Sequence, residues 1–142
     1  MHNDYTEECV KIAEEKAMNN DYAQPQPSQI KFIPMHELID KTKQWFLDKG
    51  LTGPNGKGTL AAQAKKNLEE GGEIIEAVAQ LGCWPGKPSE LELKKEIGDN
   101  FVTLIGLCEL LETTPEECLQ LAYDKISNRK GTIVNNQFVK ES

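Results

Sequence analysis

The chain has 142 residues, of which 38% are hydrophobic and 27% charged, and its formal net charge is -7 at pH 7. That length fits one domain able to bury a core of its own without disulfides. The acidic balance excludes general nucleic-acid binding, which needs a basic footprint, and no apolar run approaches the ~20 residues that span a bilayer.

In chain order, a first helix is expected from about Tyr5 to Asn19, opened by a capping box of Asp4 and Glu7. This stretch is charged throughout and carries no signal-peptide pattern, so a cytoplasmic protein is expected. Asn20 to Ile33, with Pro25 and Pro27, reads as a linker. A second helix covers about Met35 to Lys49 and stops at Gly50. Leu38, Ile39, Thr42, Trp45 and Phe46 share one of its faces. Leu51 to Gly58 holds three glycines and a proline and reads as a loop. Its Gly53-Pro-Asn-Gly56-Lys57-Gly58-Thr59 run departs from phosphate-loop spacing, because Gly58 follows Lys57 and no strand precedes it. The loop is instead a candidate lid.

A third helix is expected from near Thr59 to near Leu81, followed by a loop over Gly82 to Pro88. Ser89 and Glu92 form a capping box for a fourth helix running to about Glu112. Thr114-Pro115-Glu116-Glu117 is a clean start for a fifth, which reaches about Asn128. Beyond Gly131, strand-like Thr132–Val134 and Gln137–Val139 flank Asn135-Asn136, the pattern of a small hairpin or an extended arm. The expected fold is therefore all-α, a bundle of four to five helices with a short C-terminal tail. Residues 1–33 form an N-terminal helix and linker, 34–131 the main helical domain and 132–142 the tail. Cys9, Cys83, Cys108 and Cys118 lack CxxC spacing and are read as reduced and buried, not as disulfide partners or zinc ligands.

Two acidic motifs stand out, Glu70-Gly71-Gly72-Glu73 and Glu96-Ile97-Gly98-Asp99. Three-residue spacing stacks each carboxylate pair on one helical face. Like charges so placed cost an isolated helix roughly 0.2–0.5 kcal/mol per pair. A hard divalent cation with oxygen ligands, such as Mg2+, would neutralise them. On an ideal helical wheel Ala64, Leu68, Ile74, Ile75, Val78 and Leu81 form an apolar arc with Glu70 at its edge. Leu93, Ile97, Phe101, Leu104, Leu107, Cys108 and Leu111 form a broad apolar face, with Glu96 inside it and Asp99 near Leu110. Carboxylates on such faces must be paired, metal-bound or protonated. One ExxE arises readily in a Glu-rich helix, since Glu is a good helix former. Two of them on adjacent long helices, each intruding on an apolar face, argue for a site.

Lys125, Asn128 and Arg129 share a face at the end of the fifth helix. Cations there complement the helix dipole, and beside a metal site they are placed to hold phosphates. Trp45 lies on a face suited to core packing and is also a candidate for stacking on a base. Trp84 is a candidate loop anchor or base contact. His36-Glu37-Leu-Ile-Asp40 is not HExxH, and no Glu-x-x-His pair suits a redox di-iron bundle, so zinc-protease and di-iron chemistry are set aside. The rival to an enzyme is a helical module that senses a nucleotide or binds a basic partner without chemistry.

The run Gln63-x-x-Lys66-x-x-x-Glu70-Gly-Gly-Glu73-Ile-Ile-Glu76-Ala77, then Glu96-Ile-Gly-Asp99-Asn100, resembles the signature of MazG-like nucleoside triphosphate pyrophosphohydrolases, members of the all-α NTP pyrophosphatase superfamily. That pattern is ExxE, a gap of some two dozen residues, then ExxD. Here 22 residues (74–95) separate Glu73 from Glu96. The ending Lys125-Ile-Ser-Asn128-Arg129-Lys130-Gly131, then Phe138-Val139-Lys140, is similar to the tail of small phage-type members. The resemblance implies Mg2+-dependent cleavage of a nucleoside triphosphate, with Mn2+ as a substitute, to a monophosphate and pyrophosphate. It implies metal ligands and catalytic carboxylates at Glu70, Glu73, Glu96 and Asp99, with Glu69 a further candidate to orient the attacking water. It implies phosphate contacts from Lys125, Asn128 and Arg129. It also implies a homodimer or homotetramer, with which the wide apolar face of the fourth helix agrees. Gly71 and Gly72 depart from good helix chemistry, each costing roughly 0.8–1.0 kcal/mol relative to Ala. They invite close approach by another helix or a nucleotide, or a local kink.

Overall fold

The computed structural model describes residues 31–141. The helix expected over Tyr5 to Asn19, most of the linker after it, and Cys9 lie outside the described residues. Four helices follow one another: α1 (Met35–Asp48), α2 (Leu60–Cys83), α3 (Lys87–Leu110) and α4 (Pro115–Ser127). A two-stranded antiparallel hairpin, β1 (Gly131–Val134) and β2 (Gln137–Lys140), closes the chain. The fold is all-α apart from this hairpin, as expected.

Local chemistry sets most boundaries. Thr59 caps α2, its hydroxyl accepting the Ala62 N–H at 3.2 Å. Thr114 caps α4 in the same way, accepting the Glu117 N–H at 3.1 Å, with Pro115 in the first turn. Each side-chain oxygen satisfies one of the orphan donors of a helix start. Gly50 ends α1 in the left-handed region (φ 69°), where glycine carries no steric penalty. Asn135 and Asn136 both have positive φ, as a two-residue type I′ hairpin turn requires.

The start of α3 corrects the expected capping box. The helix begins at Lys87, behind Gly86 and with Pro88 in its first turn. Ser89 lies inside it, and its hydroxyl donates to the Trp84 carbonyl at 2.7 Å. Only residues 84–86 separate α2 from α3, so the two long helices turn straight back on each other. α2 also runs unbroken through Gly71 and Gly72.

Helix α3 is the axis of the bundle, with α1, α2 and α4 each packed on it. The buried apolar residues are Ile39 and Phe46 of α1, Ala77 of α2, and Ile105 and Cys108 of α3. Gly106 lets α1 come close, because a Cβ there would overlap the Phe46 ring and the Gln63 amide. Lys43 and Glu109 pair at 3.2 Å across the same contact. The loop between α1 and α2 folds onto itself. Gly56, Lys57 and Gly58 donate their N–H groups to the carbonyls of Gly53, Gly50 and Leu51 at 2.9–3.0 Å.

Two expectations need correction. Among the described cysteines only Cys108 is buried, while Cys83 and Cys118 are exposed. Burial and the Cys118 thiol, 3.8 Å away, push Cys108 up to about 11. The apolar arc drawn for α2 is also only partly turned inward: Ile74 and Leu81 face α3, while Ala64, Leu68, Ile75 and Val78 are exposed. The side turned to α3 is Gln63, Asn67, Glu70, Ile74, Ala77 and Leu81, whereas Leu68 and Ile75 are 76% and 72% exposed. On α3, Ile97, Phe101 and Leu104 are exposed too. A wheel orders side chains around a helix but does not say which arc meets the neighbour. Here a mixed arc does, with Gln63, Asn67 and Glu70 at one end and Ile74, Ala77 and Leu81 at the other.

Candidate active site

The antiparallel turn between α2 and α3 brings the two acidic motifs together. Carboxylate oxygens of Glu70, Glu96 and Asp99 all lie within 4.8 Å of one another. Glu70 is buried, Glu96 half-buried and Asp99 exposed, so the cluster runs from the helix seam out to solvent. Glu73 is not one of the three, but its carboxyl neighbours Glu96 within hydrogen-bonding reach.

The set is under-neutralised. Lys66 grips Glu70 with its Nζ 2.6 Å from Oε1, and reaches Glu69 at 3.5 Å. The Glu70 hydrogen bond holds the Lys66 ammonium above its ordinary range. No cation among the described residues pairs with Glu96 or Asp99. Among the described residues, Glu96 Oε2 is shut off from solvent and has no hydrogen-bond partner. Burial, then the Glu73 carboxyl, then the charges of Glu92 and Asp99 push the Glu96 carboxyl above the usual glutamate range. A shielded carboxylate oxygen without a donor is costly. Three convergent hard oxygens, on a set that includes the shielded Glu96 carboxyl, suit a divalent cation of the Mg2+ or Mn2+ type.

A pH dependence follows for the metal-free protein. Folding raises the Glu96 pKa, so the folded state holds the proton more tightly than the unfolded one. Stability therefore falls as pH rises from the ordinary glutamate range through the raised value, and the penalty is complete above it. In EDTA, Glu96→Gln is expected to raise the melting temperature near pH 8 and to lose that gain as the pH is lowered through about 4.3. Melting curves at the two ends check this, and a gain that ignores pH contradicts it.

Beside the cluster, a groove of about 440 Å³ opens between α1 and α3, lined by Leu38, Lys41, Thr42, Trp45, Asp99 and Val102. Asp99 thus borders both the acidic cluster and the groove. Trp45 is 47% exposed, with its ring edge-on to Phe46, so it presents apolar surface to the groove while anchored on the core. Trp84 is half-buried in the α2–α3 loop and is not part of the lining. Lys125, Asn128 and Arg129 are exposed at the end of α4. Within the described residues no hydrogen bond or ion pair joins their side chains to the carboxylates.

The MazG nucleotide pyrophosphohydrolase domain matches residues 59–134, more than half of the chain. The chain belongs to that family. The matched span covers α2, α3, α4 and β1, and so both acidic motifs and the basic cluster of α4. The α1 wall of the groove lies outside it. Membership of the MazG family carries nucleotide pyrophosphohydrolase activity, a hydrolysis of acid anhydrides, and the family is typically metal-dependent, in keeping with the acidic cluster. The chain has no significant match to a curated protein or to a solved structure. No helix of the described residues is long and apolar enough to cross a membrane.

Sequence reasoning assigned no role to several neighbours of the site. Gln63, Lys66 and Asn100 stand in the motif run, and the i, i+4 spacing of Lys66 and Glu70 is the signal that could have found their pair. Lys41, Thr42 and Val102 line the groove only because α1 crosses α3 beside Asp99. Asn67 and Thr103 carry no motif signal.

Proposed function

We propose that this MazG-family protein hydrolyses (deoxy)nucleoside triphosphates to the monophosphate and pyrophosphate with Mg2+, for which Mn2+ can substitute, in nucleotide-pool control or house-cleaning. The observation that carries the reading is the convergence of Glu70, Glu96 and Asp99 within 4.8 Å, with Glu96 Oε2 unpartnered. These three, with Glu73 through its contact with Glu96, would hold the metal. When bound, it would supply a Lewis acid for phosphoryl oxygens and a more acidic water. The protein's own residues do the rest. The groove receives the nucleoside, with Trp45 offering a face for the base. Asp99, shared between groove and cluster, fixes the distance from the base to the reacting phosphate. Lys125, Asn128 and Arg129 hold the outer phosphates, where negative charge grows as the anhydride breaks. The test is pyrophosphate release from a panel of NTPs and dNTPs, expected with Mg2+ and lost with EDTA. Nucleotide binding without pyrophosphate release on any substrate would favour a sensing module and reject the enzyme.

We infer likewise that the protein works as a homodimer or homotetramer. Ala61, Leu68, Gly72, Ile75 and Ala79 lie along the side of α2 turned away from α3, and all are exposed. A Cβ at Gly72 would meet nothing within 4 Å. Ile97, Phe101 and Leu104 are also exposed among the described residues, and exposed apolar side chains that gather into a patch mark interaction sites. Light scattering at micromolar concentration is expected to give two or four times 15.9 kDa. The mass of one chain would overturn this.

A further inference from the structure

The helices that carry the acidic motifs meet along a seam held by polar groups. Asn67 Nδ2 donates to Thr103 Oγ1 at 2.8 Å. Thr103 Oγ1 donates in turn to the Asn100 carbonyl at 2.8 Å, and Asn100 Nδ2 reaches back to the Asn67 carbonyl at 3.4 Å. Gln63 Nε2 donates to the Thr103 carbonyl at 3.1 Å. Thr103 is 4% exposed, so water does not compete for its hydroxyl. Asn and Thr are poor helix formers, and local helix formation does not account for three of them here. Apolar packing on the α2 side of the seam is thin: Ala77 is its fully buried apolar residue, with Ile74 and Leu81 half-buried beside it, and apolar contact is non-directional.

We infer that Asn67, Asn100 and Thr103 form a register clamp: they are positioning residues that hold α2 against α3 at the one offset where Glu70, Glu96 and Asp99 converge. Asn67 stands one turn before Glu70. Asn100 follows Asp99 and stands one turn after Glu96. A slip of one residue moves a helix by about 1.5 Å and turns it by about 100°. Oxygens around Mg2+ sit at about 2.0–2.1 Å, so two of them are never more than about 4.2 Å apart. The three carboxylate oxygens, within 4.8 Å of one another, need only small side-chain movement to close on such an ion. A slip in the seam would exceed that tolerance. Buried polar groups fix register between paired helices in the same way elsewhere.

The inference rests on the proposed metal site, and the experiment separates the two. Mn2+ alone is titrated into the full chain, free Mn2+ being read by electron paramagnetic resonance, and melting is followed in EDTA. Wild type is expected to bind and Asp99→Asn to lose binding. Thr103→Val is expected to weaken Mn2+ on the order of tenfold or more. Asn67→Leu/Thr103→Val removes both partners, leaves no orphaned amide, and is expected to melt near the wild-type temperature yet bind Mn2+ as weakly. Thr103→Ser keeps the hydroxyl and is expected to keep wild-type affinity. Unchanged affinity in the double variant, or equal losses in Thr103→Ser and Thr103→Val, would overturn the clamp while the metal site stands. Failure of wild type to bind, or full binding by Asp99→Asn, would overturn the metal site and the clamp with it.

Discussion

Asp99→Asn is expected to lower turnover at least about a hundredfold while leaving the helical circular dichroism unchanged. Substitution of groups that merely support a metal ligand costs about 10–100-fold. Loss of a ligand's charge should therefore cost no less than the top of that range. Asn keeps the shape of the side chain, so the groove beside Trp45 is preserved and the loss falls on the charge. The fold should not suffer. In the metal-free protein Asp99 adds to the negative charge around Glu96, and removing it relieves repulsion. Glu73→Gln is expected to have the same outcome, because Glu73 presses on the same Glu96 carboxyl. The assay is turnover against Mg2+ concentration. If both variants keep near wild-type rates at limiting Mg2+, the acidic cluster is not the metal site.

Legibility from sequence followed the range of the interaction. The helix start near Thr59, the cap at Thr114 and the Asn135-Asn136 turn, one of two readings of that stretch, are local, set within three or four residues, and they were readable. Ser89 and Glu92 matched the same local pattern, yet Gly86 and Pro88 start α3 before them. The pairing of the acidic motifs was readable because each motif spans one helical turn and the turn between the helices is short. The inner face of α2 was not. The wheel reading assumed that a chain buries its own apolar arc, whereas Leu68 and Ile75 point outward and Gln63, Asn67 and Glu70 point in. Hydropathy fails there for a physical reason. Part of the apolar arc, Leu68 and Ile75, stays outside the seam, and beside Ile74, Ala77 and Leu81 the seam is held by hydrogen bonds, which hydropathy does not register. The groove beside Asp99 depends on a helix crossing, which no spacing encodes, whereas the i, i+4 spacing of Lys66 and Glu70 did encode their ion pair.

Attack is expected at the α phosphorus, giving monophosphate and intact pyrophosphate and never diphosphate with orthophosphate. A hydrolase acting at the γ phosphorus cradles the β and γ phosphates in a nest of free backbone N–H groups. The glycine-rich loop of this chain has the composition for such a nest, but the consecutive amides around Lys57 are spent. Those of Gly56, Lys57 and Gly58 are bonded to carbonyls of the loop and of the α1 terminus. Phosphate neutralisation is then left to side chains and to the metal cluster. Asp99 borders both the groove and the cluster. A nucleoside lying in that groove brings its first phosphate, not its third, next to the carboxylates. The outer two phosphates then leave as pyrophosphate, with Lys125, Asn128 and Arg129 offsetting the charge that develops on them. Hydrolysis in 18O-labelled water decides between the two bonds, because the attacked phosphorus keeps the oxygen of water. Label in the monophosphate is the expected result. Label confined to pyrophosphate or orthophosphate would place the attack elsewhere and reject the arrangement of nucleoside and phosphates described above.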